Sequence, residues 1–256
     1  MTETLGFTLT DEPLRSRRNH WNNQVRRHAA DNPDGHALRF LGQATTWKQL
    51  DERTHALAAS LLRRGVGFGD RILVLMLNRT EYVELTLAAN LIGAIPVPVN
   101  IRMAPAEIAF LVSDSGARVV VTETMLAPLA DAVAQITGAV DTIITVGDRA
   151  NDAHLSYEDL VAEAGEPLPE IDIPEETVAL IMYTSGTTGK PKGSMLTHQN
   201  LQAQGVTCIQ ALQTTSDDVA SCVAPMFHIA ALGAMTPTFY MGATTVIHPL
   251  GNFDPN

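Results

Sequence analysis

The chain has 256 residues, of which 45% are hydrophobic and 18% charged, and its formal net charge is −11. This length can bury a substantial core as one large domain or two small ones, and the excess of negative charge argues against nucleic acid as a partner. The two cysteines, Cys208 and Cys222, are too few and too far apart for a disulfide framework or a metal site.

The sequence pattern predicts neither a secretory signal at the start nor a membrane-spanning helix. Residues 1–15 lack a sustained apolar run of the secretory type. A membrane-spanning helix needs about 20 apolar residues, and the nearest candidate, residues 85–101, is interrupted by Pro96 and Pro98. We predict a cytoplasmic location and leave peripheral membrane contact open.

The first predicted elements are a hairpin and a helix. Residues 38–46 predict a hairpin that turns around Leu41, Gly42 and Gln43. Thr46 and Gln49 have the spacing of a capping box and predict the start of a helix that ends at Gly65. Its apolar face is formed by Leu50, Leu57 and Leu61.

From residue 72 the pattern becomes an alternation of strands and helices. Residues 72–77 form a continuous apolar run, which is typical of a strand buried on both faces of a parallel sheet. Asn78 and Glu81 predict the start of a helix that ends at Gly93. The later predicted pieces are an irregular or edge strand at 95–99, a helix from Pro105 through Leu111, a strand at 119–121, a helix at 126–136 and a strand at 143–146.

This alternation indicates an α/β fold with a mostly parallel sheet flanked by helices on both faces. Such folds bind ligands outside the carboxyl ends of their strands. We assign residues 20–164 to the first α/β part, the acidic and proline-rich residues 165–176 to a surface linker, and residues 177–256 to a second part.

A hydroxyl- and glycine-rich loop follows the apolar run 178–183, which predicts a strand. Residues 183–193 read YTSGTTGKPKG, so that four Ser or Thr residues, three glycines and two lysines fall within ten positions. Glycines allow close backbone approach, hydroxyls donate hydrogen bonds and lysines add positive charge. Composition alone would equally fit a plain flexible loop, whereas the ordered string predicts a phosphate-binding loop.

The loop is not a Walker A motif. Two residues rather than four separate Gly186 from Gly189, and Lys190 precedes Pro191 instead of Ser or Thr.

The string, together with LTHQNL at 196–201, closely resembles the signature loop of the adenylate-forming superfamily, which includes acyl-CoA synthetases, luciferases and peptide-synthetase adenylation domains. Further segments occur in the family's order: TWKQL at 46–50, GDR at 69–71, GAIPVPVN at 93–100 and PMFH at 225–228. The resemblance runs from about Trp21 to the end and implies the first part of the large N-terminal domain of such an enzyme.

The resemblance implies a reaction and its participants. In that family the loop holds the β- and γ-phosphates of ATP while a carboxylate attacks the α-phosphorus, and CoA then displaces AMP. ATP, Mg²⁺ and CoA are therefore implied, with a fatty acid or another carboxylic acid as substrate. The implied phosphate contacts are Thr184, Ser185, Gly186, Thr187, Thr188, Gly189 and Lys192.

Catalytic roles are implied for Thr184, Lys192 and His228. Lys190 is expected to point to solvent, because Pro191 fixes the chain between the two lysines. His228, after a predicted strand at 219–224, would line the acyl or adenylate pocket by resemblance. From the residues alone, a satisfied core histidine is the alternative.

The sequence departs from the family at its end. The family's later Tyr-Gly-x-Thr-Glu segment, its ribose-binding Asp, its hinge and the lysine of its C-terminal lid have no counterpart before Asn256. We assign no metal ligand here and expect this chain alone to be inactive. Residues 219–253 contain no Asp, Glu, Lys or Arg, which predicts an apolar surface that something must cover.

The leading hypothesis is the N-terminal portion of a fatty-acyl-CoA ligase. One alternative is a fatty-acyl-AMP ligase that delivers its adenylate to a carrier protein. Another is a non-catalytic nucleotide-binding or interaction module. Homo-oligomerisation is left open.

Overall fold

The computed structural model describes residues 19–163, 165–184 and 190–250. The helices are α1 (Trp21–Asp31), α2 (Trp47–Arg63), α3 (Thr80–Leu91), α4 (Pro105–Ser115), α5 (Ala127–Thr137), α6 (Tyr157–Ala162), α7 (His198–Leu212) and α8 (Ile229–Met241). The strands are β1 (His36–Phe40), β2 (Gln43–Thr46), β3 (Arg71–Leu75), β4 (Ile95–Pro98), β5 (Val119–Glu123), β6 (Thr142–Val146), β7 (Leu155–Ser156), β8 (Val178–Thr184), β9 (Lys192–Thr197), β10 (Val219–Cys222) and β11 (Thr244–Ile247).

A five-stranded sheet in the order β4-β3-β5-β6-β7 is parallel throughout. Successive side chains of β3 enter opposite layers: Ile72 and Val74 pack with residues of α2 and α3, whereas Leu73 and Leu75 pack with α4 and α5. Burial on both faces explains the continuous apolar run. The α/β fold with helices on both faces is thereby confirmed, and β4, with its two prolines, lies at the sheet edge as predicted.

A second sheet of four strands has the order β10-β11-β1-β2. Strands β1 and β2 form the predicted hairpin, and its turn residues Leu41 and Gly42 have φ angles of 48° and 79°. Two successive positive φ angles are typical of a tight hairpin turn. Strand β1 pairs in parallel with β11, so residues from distant parts of the sequence build this sheet together.

Of the two helix starts predicted from a pair of polar residues, one is confirmed and the other is wrong. The Thr46 hydroxyl accepts from the Gln49 amide at 3.2 Å, and the Gln49 side chain accepts from the Thr46 amide at 2.9 Å. Helix α3 instead begins at Thr80 after the cap residue Arg79. Asn78 does not cap it, because its side chain is bonded to backbone groups just beyond β10 and β11 of the other sheet.

The described part of the uncharged stretch 219–253 is mostly core. Helix α8 buries Leu232, Met235 and Phe239, and the Phe239 ring lies edge-on to the rings of Trp21 and Trp47 at 6.3 and 6.1 Å. The apolar residues of this helix are thus covered by α1 and α2 of the same chain. Val219 and Val223 beside it remain exposed.

Residues 165–176 contain neither helix nor strand. The segment is held against the protein by apolar side chains, since Ile173 is buried and Leu168 and Ile171 pack against the larger core cluster.

Candidate functional site

Strands β8 and β9 form an antiparallel hairpin, and the phosphate-loop candidate is the segment of chain that connects them. Thr184 and Lys192 are direct cross-strand partners at the two ends of the loop. The remaining predicted contacts, Ser185, Gly186, Thr187, Thr188 and Gly189, lie outside the described residues. The sequence pattern predicted β8 but missed β9, which is exposed along most of its length and lacks a strong apolar alternation.

The hairpin brings Thr184 and Lys192 side by side. Opposite residues in an antiparallel pair have Cβ atoms roughly 4.5–5.5 Å apart, and both of these side chains are exposed. Lys192 makes no ion pair with any residue that the structure describes. A hydroxyl donor and a positive charge can therefore meet the same anion at the mouth of the loop.

Lys190 lies in a different environment from Lys192. Its side chain is exposed, and its ammonium nitrogen lies 5.7 Å from the centroid of the Phe110 ring on α4. This distance allows a weak cation–π contact. Lys190 therefore has a contact on the outer surface of α4.

The loop end of the hairpin is bonded to α4 through Tyr183, the residue before Thr184. The Tyr183 hydroxyl donates to Asp114 Oδ2 at 2.6 Å, and burial followed by this hydrogen bond raises the pKa of Tyr183. Gly193 lies opposite, where a Cβ atom would be 2.9 Å from Ile181 Cγ2 and 3.2 Å from Tyr183 Cζ. A residue without a side chain therefore leaves room for the tyrosine ring.

The carboxyl ends of the two sheets meet at a crevice. A cavity of about 220 Å³ is lined by Phe40 at the end of β1, Glu123 at the end of β5, and Leu77 and Pro249 just beyond β3 and β11. This is where open α/β sheets bind ligands. The Glu123 carboxylate accepts a hydrogen bond from the Leu77 amide at 2.6 Å and forms an ion pair with Arg79 at 3.2 Å. Charged groups therefore hold together the segments of the five-stranded sheet that line this cavity.

His228 is an exposed residue at the start of α8. Its ring lies 4.7 Å from the Phe227 ring, while Met226 and Phe227 are buried. The core-histidine alternative is therefore wrong. The side chain is accessible to a ligand.

A second histidine of the signature, His198, is buried. Its ring stacks on His20 with centroids 4.2 Å apart, and neither of its nitrogens has a hydrogen-bond partner among the described residues. Burial, followed by the charge of His20, lowers the pKa of His198 to about 3. The sequence could not show this stack, because its members are far apart in the chain.

This shift predicts acid sensitivity. A histidine in the unfolded chain has a pKa near 6.5, so below that pH the unfolded state binds a proton that the folded state excludes. Above about pH 6.5, His198 does not make the free energy of unfolding depend on pH. As the pH drops from there toward 3, the free energy of unfolding falls by up to about 1.4 kcal/mol per pH unit.

We expect His198→Phe to reduce this loss. Urea unfolding of the wild type and the variant at pH 7.5 and 5.0 measures it, with exposed His36→Gln as the control that keeps the wild-type dependence. Identical pH dependence in wild type and His198→Phe would contradict the assignment.

The described ranges contain neither a metal-binding cluster of side chains nor a membrane-spanning helix. Within them, no three His, Cys, Asp or Glu side chains lie close enough to hold a metal ion. No helix among them combines the length and apolar character needed to cross a bilayer.

Comparison with known proteins gives consistent matches. Among curated proteins, a feruloyl-CoA synthase from Amycolatopsis is 36% identical over 230 residues, which cover 90% of this chain and 43% of that protein. A long-chain-fatty-acid–CoA ligase from Mycobacterium tuberculosis is 34% identical over 204 residues, covering 80% of this chain and 40% of its own. The chain thus spans less than half the length of these relatives.

Solved structures and a family model agree with these relatives. The crystal structure of a long-chain-fatty-acid–CoA ligase from Archaeoglobus fulgidus superposes with a TM-score of 0.82 at 29% identity, covering 91% of this chain and 48% of that one. The family model of the AMP-binding enzymes matches residues 25–256. The chain therefore belongs to the AMP-binding enzyme family, the adenylate-forming group that its signature loop resembles.

Proposed function

We propose that this chain supplies the pyrophosphate-binding part of an ATP-dependent acid–CoA ligase. The observation that carries the proposal is the hairpin that places Thr184 and Lys192 together at the two ends of the Ser/Thr/Gly loop. The two curated relatives support the reaction class, because each is named for forming a CoA thioester.

The first chemical step forms an acyl-adenylate. A carboxylate oxygen bonds to the α-phosphorus of ATP, the bond from that phosphorus to the bridging oxygen breaks, and pyrophosphate leaves with the electron pair. Thr184 donates a hydrogen bond and Lys192 supplies positive charge to the phosphate oxygens as this charge grows. Groups held in place before reaction stabilise such charge without reorganising.

The second step forms the thioester. The CoA thiol loses its proton to solvent, its sulfur bonds to the acyl carbon, and AMP leaves with the electrons of the broken bond between the acyl carbon and the phosphate oxygen. His228, exposed beside the buried Phe227, lines the acyl or adenylate side of the site in this proposal. The imidazole can donate or accept a hydrogen bond there.

We propose a fatty acid as the carboxylic substrate. The PMFH segment resembles fatty-acyl-CoA ligases, and the M. tuberculosis relative is named for long-chain fatty acids. The feruloyl-CoA synthase supports an aromatic acid as the second candidate. A carrier-protein thiol in place of CoA is the alternative acceptor.

The test uses the complete protein that contains this chain. It is incubated with ATP, magnesium and octanoate, palmitate, ferulate or benzoate, with and without CoA. We expect AMP release that depends on the acid, and mass spectrometry should show the thioester only when CoA is present. Absence of acid-dependent AMP release and of acid-dependent ATP–pyrophosphate exchange would overturn the proposal.

The same experiment separates the alternatives. Acyl-adenylate that accumulates without reacting with CoA would favour the carrier-protein acceptor. A preference for ferulate over both aliphatic acids would replace the fatty acid with an aromatic one. The 256-residue chain assayed in parallel tests whether this part is inactive by itself.

A further inference from the structure

Asn78 joins the two sheets at their carboxyl ends. Its Nδ2 donates to Ala224 O at 2.9 Å and His248 O at 3.1 Å, and its Oδ1 accepts from the Met226 amide at 2.8 Å. The side chain is 2% exposed. Both N–H donors and the carbonyl oxygen of the Asn78 side chain thus form hydrogen bonds with backbone groups that follow β10 and β11.

These bonds hold the chain that leads to His228. Ala224 follows β10, and His228 donates its amide to Pro225 O at 2.9 Å in a turn before α8. Asn78 binds polar backbone atoms on both sides of Pro225. Because Met226 is fully buried, its amide would lose its partner without solvent to replace it.

We propose that Asn78 is a positioning residue for residues 225–228 and acts on the reaction through His228. This inference rests on the proposed function. Asn78 fixes the backbone of the turn, and the turn fixes the start of α8. The position of the exposed His228 imidazole therefore depends on the bonds that Asn78 makes. The bond to His248 O holds β11 in the same arrangement, so one side chain sets the width of the crevice between the sheets.

Two substitutions at Asn78 test the role of its hydrogen bonds. Asn78→Leu keeps the branched shape and the number of side-chain heavy atoms, adds the bulk of two methyl groups, and removes all three hydrogen bonds. Asn78→Asp keeps the acceptor for the Met226 amide, but places an ionised carboxylate against two carbonyl oxygens and can donate only when protonated. The matched control is Asn90→Leu.

Asn90 is also 2% exposed and also joins distant segments: Nδ2 donates to Ala179 O at 2.9 Å and Oδ1 accepts from Trp21 Nε1 at 2.9 Å. Its removal is expected to destabilise the protein without touching residues 225–228.

The first measurement is amide hydrogen exchange in the complete protein without substrates. We expect the Met226 amide to exchange at least about tenfold faster in Asn78→Leu, because it loses one buried hydrogen bond. In Asn90→Leu it should exchange as in the wild type. In Asn78→Asp, protection around residues 224–226 should rise as the pH falls and the carboxyl gains a donor proton. Equal exchange in wild type and Asn78→Leu would overturn the anchoring, whether or not the protein activates an acid.

The second measurement is steady-state acid–CoA ligation. We expect Asn78→Leu and His228→Ala each to lower kcat/KM for the acid about tenfold or more, with the KM for ATP within about twofold of wild type. Because Asn78 acts through His228, the double variant should be little worse than His228→Ala alone. If the losses in kcat/KM of the two single variants add up in the double variant, or if Asn90→Leu shows an equal loss, then Asn78 has only a structural role. Acid-dependent activity in the wild type supports the proposed function regardless of how the Asn78 variants behave.

Discussion

Replacing Lys192 with alanine in the complete protein is expected to slow adenylation by about 10²–10³-fold, the loss that follows removal of one preorganised charge-stabilising donor. Lys192 lies opposite Thr184 at the mouth of the loop and has no ion-pair partner among the described residues. In the proposed reaction its charge is therefore available to the departing pyrophosphate. Carboxylate-dependent ATP–pyrophosphate exchange measures the step before CoA enters.

Lys190→Ala is the matched control for this prediction. Lys190 lies two positions away with the same charge, but its ammonium contacts the Phe110 ring. We expect its removal to change the exchange rate by less than about fivefold, because only a weak cation–π contact is lost. Equal losses in the two variants would show that the loop uses its positive charge without distinguishing the lysines.

Phe239→Ala is expected to lower the free energy of unfolding by about 3–5 kcal/mol, the range for truncating a fully buried aromatic residue. Its ring is 1% exposed and contacts Trp21 and Trp47, so the substitution opens a cavity between α8, α1 and α2. Denaturant unfolding followed by tryptophan fluorescence measures the change directly.

Ile229→Ala on the same helix provides the comparison. Ile229 is 43% exposed, and we expect its truncation to cost less than about 1 kcal/mol. A small effect of Phe239→Ala, similar to that of Ile229→Ala, would mean that α8 is not packed as described.

Local sequence signals predicted much of the five-stranded sheet. The run 72–77 indicated a strand covered on both faces, and β3 is buried in that way. The spacing of Thr46 and Gln49 predicted a helix start because both partners lie within one turn. Signals of this kind depend only on neighbours in the chain, which is why they can be read without coordinates.

The same reasoning failed where distant groups compete for a residue. Asn78 and Glu81 have a plausible helix-start pattern. The Asn78 side-chain carboxamide nevertheless forms hydrogen bonds with backbone atoms about 150 residues away in the chain. The bond between Tyr183 and Asp114 likewise joins segments with no shared local pattern. For the candidate site, the order of residues in the sequence indicated the phosphate loop. The roles of Asn78 and Asp114 could be recognised only from the folded structure.

The parallel pairing of β1 with β11 constrains the order in which the protein can form. Leu38 lies opposite Thr245, so about 200 residues must be synthesised before β1 gains this neighbour. Until then the β1–β2 hairpin is an isolated two-stranded unit, which is marginally stable in water. Contacts of such high sequence separation slow folding. On the ribosome, the five-stranded sheet can therefore assemble from contiguous chain while the four-stranded sheet waits for β11, and the crevice between the sheets is completed last.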